Sequence, residues 1–342
     1  MADSQRSNSL SFGLPRLSVN GNRIVEAESL APVCLRGVNR SGLEYSSPDG
    51  AGSIVNAGIT ESDFDEMITA WGANIVRVPF NQSWALGGGD YDPAPYLFAL
   101  DTVIRLAAQR GAYTLLDLQW LDAVNSRGRT PDGKPNFVAP LPNLESIALW
   151  RSLAARYRDE PAVLYDVFNE PHDLLRGDTH GLYGIRPDGT LFTLRKRRVT
   201  MDVWHSWAMH LIGAIRSEHP AAVIFVSGTD WGYNLRGHPV PGRNGLVYST
   251  HIYRDKGKDW DRAFGDLAGE YPVFAAELGG LDADTDWGES LLSYLAVRNI
   301  GWAAWSWADH PHLIHPAPPF EPTGFGKLIR SHLRQNVTKA VS

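Results

Sequence analysis

The chain has 342 residues, 43% hydrophobic and 20% charged, which is ordinary globular composition and enough for one large domain or two smaller ones. Lys+Arg is 32 and Asp+Glu is 38, a net charge of −6, so no basic field exists to neutralise phosphates and no nucleic-acid partner is expected. The single cysteine, Cys34, rules out an intrachain disulfide framework and a cysteine-based zinc site. No apolar run approaches the ~20 residues of a membrane span, so no membrane partner is expected. The first twenty residues lack the apolar core of a secretory signal. An exported protein whose leader had been removed would read the same way, so location stays open. Trp, Tyr and Phe stand at 12 each. That share of flat amphipathic rings hints at sugar binding, although core packing is the default role of an aromatic ring.

Residues 1–16 read as a polar tail, and 17–335 as one domain. At the start of that domain, Asn20-Gly21 sits between alternating apolar residues, a hairpin signal. Short apolar runs then alternate with amphipathic stretches. The runs are Val33–Val38, Asn74–Pro79, Tyr113–Leu118, Val163–Phe168, Ala222–Val226, Leu246–Ser249, Val273–Ala276 and Gly301–Ser306. They are β-branched or aromatic and bounded by turn residues, as buried parallel strands are. Helices are expected over Thr60–Trp71, Pro95–Gln109, Leu144–Arg158, Val199–Ser217, Trp260–Ala268 and Trp287–Arg298. Thr60 offers an N-cap with Asp63 in the capping-box position. After Val226 only a short helix near Tyr233–Arg236 is expected. Cys34, between Val33 and Leu35, reads as a small buried residue.

Eight strands alternating with helices predict an α/β fold, a (β/α)8 TIM barrel with the N-terminal β-hairpin closing its bottom. A doubly wound sheet would carry a Gly-rich first turn, but the first strand ends Arg36-Gly-Val-Asn39-Arg40. P-loop, GxSxG and HExxH motifs are absent from the sequence.

In such a barrel the active site is built at the carboxyl ends of the strands. Those ends supply Asn39 and Arg40; Arg77; Asp117, Gln119 and Trp120; Asn169, Glu170 and His172; Asp230 and Trp231; His251 and Tyr253; Glu277; and Trp305, Trp307 and Asp309. Glu170 and Glu277 each end an apolar strand, on opposite sides of the ring. A carboxylate there is costly to bury alone, and a structural ion pair with Arg77 would account for one of them. Two of them, surrounded by Asn, Gln, His, Tyr and Trp, fit glycosidic bond cleavage. One carboxyl then serves as acid and the other as nucleophile or base.

The residues resemble glycoside hydrolase family 5, the family of many cellulases and β-mannanases. The likeness spans about Leu17 to Leu333. It rests on Arg36-Gly-Val-Asn39, on Arg77 in Asn-Ile-Val-Arg-Val-Pro, and on Phe168-Asn-Glu-Pro171. It continues in His251-Ile-Tyr253, in Glu277 within Phe-Ala-Ala-Glu-Leu-Gly, and in Ala304-Trp-Ser306. The resemblance implies that Glu170 is the acid/base and Glu277 the nucleophile. It further implies that Tyr253 hydrogen-bonds the nucleophile and that His251 stands near the acid/base. Asn169 would bind the 2-hydroxyl of the cleaved sugar, and Trp305 would lie under it. Where the family has Leu-Asp-Leu-His, this chain has Leu116-Asp-Leu-Gln119. Glutamine hydrogen-bonds but carries no charge.

The expected function is retaining hydrolysis of β-glycosidic bonds by a monomeric endo-β-1,4-glucanase, acting on a β-linked polysaccharide or oligosaccharide without metal or organic cofactor. The alternatives are a β-mannanase, a β-glycosidase acting on short oligosaccharides, and a non-catalytic sugar-binding barrel. Trp84, Trp120, Trp231 and Trp307 are candidate stacking rings, two of which are expected in the cleft. Pro187-Asp-Gly189 predicts a second hairpin after Glu170, with Tyr183 or Phe192 at the cleft rim. Three histidines in 309–315 are read as solvated, as is the basic run Arg195–Arg198.

Overall fold

The apolar runs pair side by side as parallel strands and close on themselves. The computed structural model describes residues 13–45, 54, 57–87, 92–121, 138–175, 181–238, 240, 244–315 and 319–339. The barrel strands are β3 (Arg36–Asn39), β4 (Ile75–Asn81), β5 (Tyr113–Trp120), β6 (Val163–Asp166), β9 (Ile224–Ser227), β10 (Leu246–Tyr253), β11 (Val273–Gly279) and β12 (Gly301–Ala304). Their order round the barrel is β10-β11-β12-β3-β4-β5-β6-β9, with β9 returning to β10. Outside it are two antiparallel hairpins, β1 (Leu17–Asn20) with β2 (Arg23–Glu26), and β7 (Tyr183–Ile185) with β8 (Leu191–Thr193).

Alternation along the strands builds the barrel interior in layers. Ile75, Leu115, Leu164, Val247 and Phe274 point inward and form an apolar lower layer with Leu17 and Ile24 of the first hairpin. That hairpin closes the bottom, and its two loop residues are Gly21 and Asn22, with Gly21 at φ 58°. Part of the polar tail is ordered against it. Tyr113 donates to the Pro15 carbonyl at 2.7 Å, and Ala27 N–H donates to Arg16 O at 2.7 Å. The rest of the tail, residues 1–12, lies outside the described residues.

The outward residues of the strands meet the helices. These are α1 (Glu61–Phe64), α2 (Gln82–Leu86), α3 (Ala94–Gln109), α4 (Leu144–Tyr157), α5 (Met201–Glu218), α6 (Thr285–Val297) and α7 (Gly324–Lys339). The apolar face of α4 buries Leu149, Trp150 and Leu153, each worth roughly 1.5–3 kcal/mol. Thr60 caps α1 in the expected capping box, with both bonds to Asp63 formed.

Four local expectations are corrected. The stretch after α1 is π-helical from Asp65 to Ala70. Trp260–Ala268 is likewise irregular, a π-turn over Asp261–Gly265 followed by a 3₁₀ turn over Leu267–Gly269. No helix forms at Tyr233–Arg236; the chain makes two short bridges there, Gly228 with Gly232 and Thr229 with Asn234. Cys34 is exposed, because β3 begins only at Arg36 and Leu35 is the first residue to turn inward.

Candidate active site

Above the apolar layer the inward positions turn polar. Asn39, Arg77, Asp117 and Asp166 sit one inward step above Gly37, Ile75, Leu115 and Leu164, all fully buried. Arg77 is their hub. Its Nε donates to Asp166 Oδ2 at 2.9 Å, Nη1 to Asn39 Oδ1 at 2.9 Å and Glu277 Oε1 at 2.8 Å, and Nη2 to Asn169 Oδ1 at 2.9 Å. Asp117 Oδ1 lies 3.0 Å from Nη2 but accepts no aligned hydrogen bond. Burial opposes a charge on Arg77, but Asp117, Asp166 and Glu277 outweigh it and hold the guanidinium ionised. One cation cannot balance three buried anions. Burial accordingly pushes Asp117 well up, despite Arg77, and Asp166 up to about 6.

Glu277 reaches this layer through a bulge. In β11 the register with β10 runs Thr250 to Ala275 and then His251 to Glu277, leaving Ala276 as an extra residue. Phe274 and Ala276 face in, while Ala275 and Leu278 face out. Strict alternation would send Glu277 outward; the extra residue keeps it inside. Tyr253 donates to Glu277 Oε2 at 2.6 Å, so both carboxylate oxygens accept hydrogen bonds.

Glu170 lies beyond the end of β6, fixed by its neighbours. Asn169 N–H donates to Leu118 O, and Trp231 N–H donates to Pro171 O. His251 Nδ1 is 2.9 Å from Glu170 Oε1 and 3.7 Å from Glu277 Oε2. The Glu170 side chain stays 20% exposed, while His251 is fully enclosed. Desolvation raises Glu170 to about 7 and lowers His251 to about 4, so the imidazole is neutral at pH 7. His251, Glu170 and Glu277 each offer one ligating atom, all within 4.8 Å of one another, and form the one such group among the described residues. They could hold a divalent cation; the His251–Glu170 contact is equally the geometry of a shared proton. His310, His312 and His315 belong to no such group.

Of the four candidate rings, Trp120 and Trp231 are half-buried at the strand ends. Trp231 stacks on His172 with centroids 3.6 Å apart, on a backbone with φ 59°. Trp84 and Trp307 are buried packing, Trp307 against Trp71. Trp305 is 7% exposed, and its indole N–H donates to His310 O at 3.1 Å. Gln119 is the extra residue of a bulge where β4 and β5 pair, Phe80 meeting Leu118 and Asn81 meeting Trp120. Its carboxamide makes no hydrogen bond to another described residue. Arg40 is drawn away from the site into an ion pair with Asp63 at 2.8 Å.

Sequence reasoning missed Asp166, although period-2 alternation from Leu164 marks it as inward. It also missed Glu44 and Tyr45, which lie on a loop with no periodicity. Glu44 is fully buried and pushed up to about 8 by desolvation; Tyr45 donates to Asp309 Oδ2 at 2.7 Å and packs edge-on against Trp120.

A parallel barrel with two carboxylates at the strand ends, one paired to Arg and Tyr and the other to a neutral His, is the architecture of a glycoside hydrolase. A family model, cellulase (glycosyl hydrolase family 5), matches residues 31–311. The chain belongs to that family. Endoglucanase MaCel5A of Microbulbifer sp. (strain ALW1) is 27% identical over 312 residues, covering 86% of this chain and 51% of that protein. An endoglucanase of Paenibacillus polymyxa is 26% identical, covering 84% and 78%. The chain thus spans about half the length of the first relative. In fold it is similar to β-glucanase SdGluc5_26A of Saccharophagus degradans, with TM-score 0.75, 22% identity and 98% of each chain covered. It is also similar to the Thermobifida fusca endoglucanase Cel5A catalytic domain in complex with cellotetraose, with TM-score 0.68, 20% identity, and 96% and 100% coverage.

Proposed function

We propose that the chain is a retaining endo-β-1,4-glucanase. The observation that carries the retaining mechanism is the proximity of Glu170 and Glu277, whose nearest ligating oxygens lie within 4.8 Å. An inverting pair stands about 6.5–9.5 Å apart to admit a water between; a retaining pair is closer, at about 5–5.5 Å. The choice of a β-1,4-glucan rests on the endoglucanase relatives.

The steps follow from the hydrogen bonds. Glu277, aimed by Arg77 and Tyr253, attacks the anomeric carbon. Protonated Glu170 gives its proton to the glycosidic oxygen as that bond breaks. The product of this half-reaction is a glycosyl ester on Glu277. Glu170, now a carboxylate, takes a proton from water, which attacks the same carbon and frees Glu277. Desolvation favours the protonated form of Glu170, and a neutral His251 beside it adds no positive charge to offset that, as an imidazolium would. Asn169, oriented by Arg77, is placed to bind the 2-hydroxyl, and Trp231 and Trp305 to line the sugar path.

The test is a panel of carboxymethylcellulose, mixed-linkage β-glucan, mannan, laminarin and cello-oligosaccharides, assayed with the wild type and Glu277→Ala. Internal cleavage of β-1,4-glucan by the wild type and loss of at least a thousandfold in the variant is the expected result. Cleavage of mannan alone, or of short oligosaccharides alone, contradicts the substrate; an active variant contradicts the mechanism.

A further inference from the structure

Beyond β9 the chain makes a left-handed turn. Asp230, Trp231 and Gly232 follow one another at φ 57°, 59° and 74°. Positive φ is uncommon at residues other than glycine, and two in succession persist only where the surroundings fix them. Lys256, in the short turn Arg254–Lys256 that follows β10, supplies such a fixture. Its Nζ donates to the Asp230 carbonyl at 3.0 Å and to Asp230 Oδ1 at 3.3 Å. We propose that Lys256 is a positioning residue: it latches this turn and so holds the Trp231 ring where the sugar of the leaving group binds. This rests on the glucanase reading and names the residue that makes the site favour a sugar over a smaller leaving group.

Three observations carry it. First, the ring is tied to the acid. Trp231 stacks on His172 with centroids 3.6 Å apart and planes 9° from parallel, and its N–H donates to Pro171 O at 3.2 Å. His172 Nδ1 in turn donates to the Glu170 carbonyl at 2.6 Å. Glu170 protonates the departing oxygen, so a ring held beside it stands on the leaving-group side. Trp231 is only half-buried, which leaves apolar surface for the C–H face of a pyranose. Second, the turn is fixed at both ends. At Gly232 the carbonyl accepts from His251 N–H at 3.3 Å, and a Cβ there would come within 2.8 Å of the His251 ring. At Asp230 the fixture is Lys256. Third, the Lys256–Asp230 pair contributes little else. The Lys256 side chain is 18% exposed and that of Asp230 59%, and an ion pair so open to water adds little stability. The ammonium also lies close enough for Glu170 to feel its charge. Burial raises the Glu170 titration, and Arg77 and Lys256 each offset part of that rise. His251 and Tyr253 face Glu170 uncharged, Glu277 is the other carboxyl nearby, and His172 meets the Glu170 backbone.

The experiment measures kcat/KM for cellotetraose, whose leaving group is a sugar, and for β-cellobiosyl fluoride, whose leaving group has no ring and departs without a proton. In Lys256→Met the ratio of the first to the second is expected to fall at least fivefold. Trp231→Ala should lower the ratio as well, and the double variant should fall no further than the larger single loss, since both substitutions act through one ring. The alkaline limb of the cellotetraose pH profile should move upward in Lys256→Met, which removes a cation near Glu170, and stay in place in Lys256→Arg, which keeps the charge. The inference is overturned if the ratio in Lys256→Met falls less than fivefold, if the two losses multiply in the double variant, or if the limb does not move. If the wild type does not cut cellotetraose, the glucanase reading fails and takes the latch with it.

Discussion

Arg77 and Glu277 meet at 2.8 Å across the barrel interior, from strands three places apart in the ring and 200 residues apart in the chain. The same guanidinium also holds Asp166, Asn39 and Asn169. Charge balance in this layer therefore depends on one side chain, which shares the orientation of the nucleophile with Tyr253.

Replacing it should fail in both respects. Arg77→Met leaves Asp166 and Glu277 without their buried cation, and breaking such a pair typically costs about 3–5 kcal/mol. We expect kcat/KM to drop at least a hundredfold and Tm to fall by several degrees at pH 7. The Tm deficit should shrink toward pH 5, where the orphaned carboxyls take up protons. A Tm deficit unchanged with pH would show that the loss is one of packing.

The acid limits activity at high pH. Glu170 must carry a proton when it meets the glycosidic oxygen, and desolvation places its titration at about 7. A pH profile of kcat/KM on a cello-oligosaccharide should therefore fall on the alkaline side, with its midpoint near 7. His251 titrates at about 4 and should contribute nothing to that limb. An alkaline limb beginning only above pH 9 would contradict the assignment.

The raised titration of Glu170 also bears on stability. A carboxyl raised from 4.5 to about 7 binds more protons folded than unfolded between those values. Its stabilising contribution is therefore full below pH 4.5 and lost as pH rises through 7. The cost at pH 8 is on the order of 3 kcal/mol. Glu170→Gln removes it, so the variant should melt above the wild type at pH 8, with the gap closing toward pH 5. Equal melting temperatures at pH 8 would argue against desolvation as the cause.

Tyr253→Phe removes one hydrogen bond to Glu277 and leaves the ring in place. A kcat lowered ten- to a hundredfold, with KM within about threefold and Tm within a few degrees, is expected; steady-state kinetics and thermal melts check it.

Much of this was readable in the sequence, for physical reasons. Parallel strands buried on both faces write themselves as short apolar runs, and all eight fall where those runs are. Pro187-Asp-Gly189 encoded its turn, with Gly189 at φ 86° and Arg186 N–H bonded to Thr190 O. What could not be read were departures from regular period. The extra residues Ala276 and Gln119 appear only once register is known. The π-turns after Phe64 and Trp260 keep helical composition while adding a residue per turn. Trp307 and Trp231 look alike in sequence; Trp71, Phe320 and a hydrogen bond to Asp63 enclose the first, while the turn at Asp230–Trp231 carries the second, half-buried and stacked on His172.

The most direct test of the account is to trap the intermediate. In an activated 2-deoxy-2-fluoro cellobioside the fluorine slows both steps and the good leaving group restores the first, so a glycosyl ester accumulates. Mass spectrometry of the digested protein should find one added cellobiosyl unit, on the peptide containing Glu277. An adduct on any other residue, or none while the enzyme turns over its normal substrate, would contradict attack by Glu277.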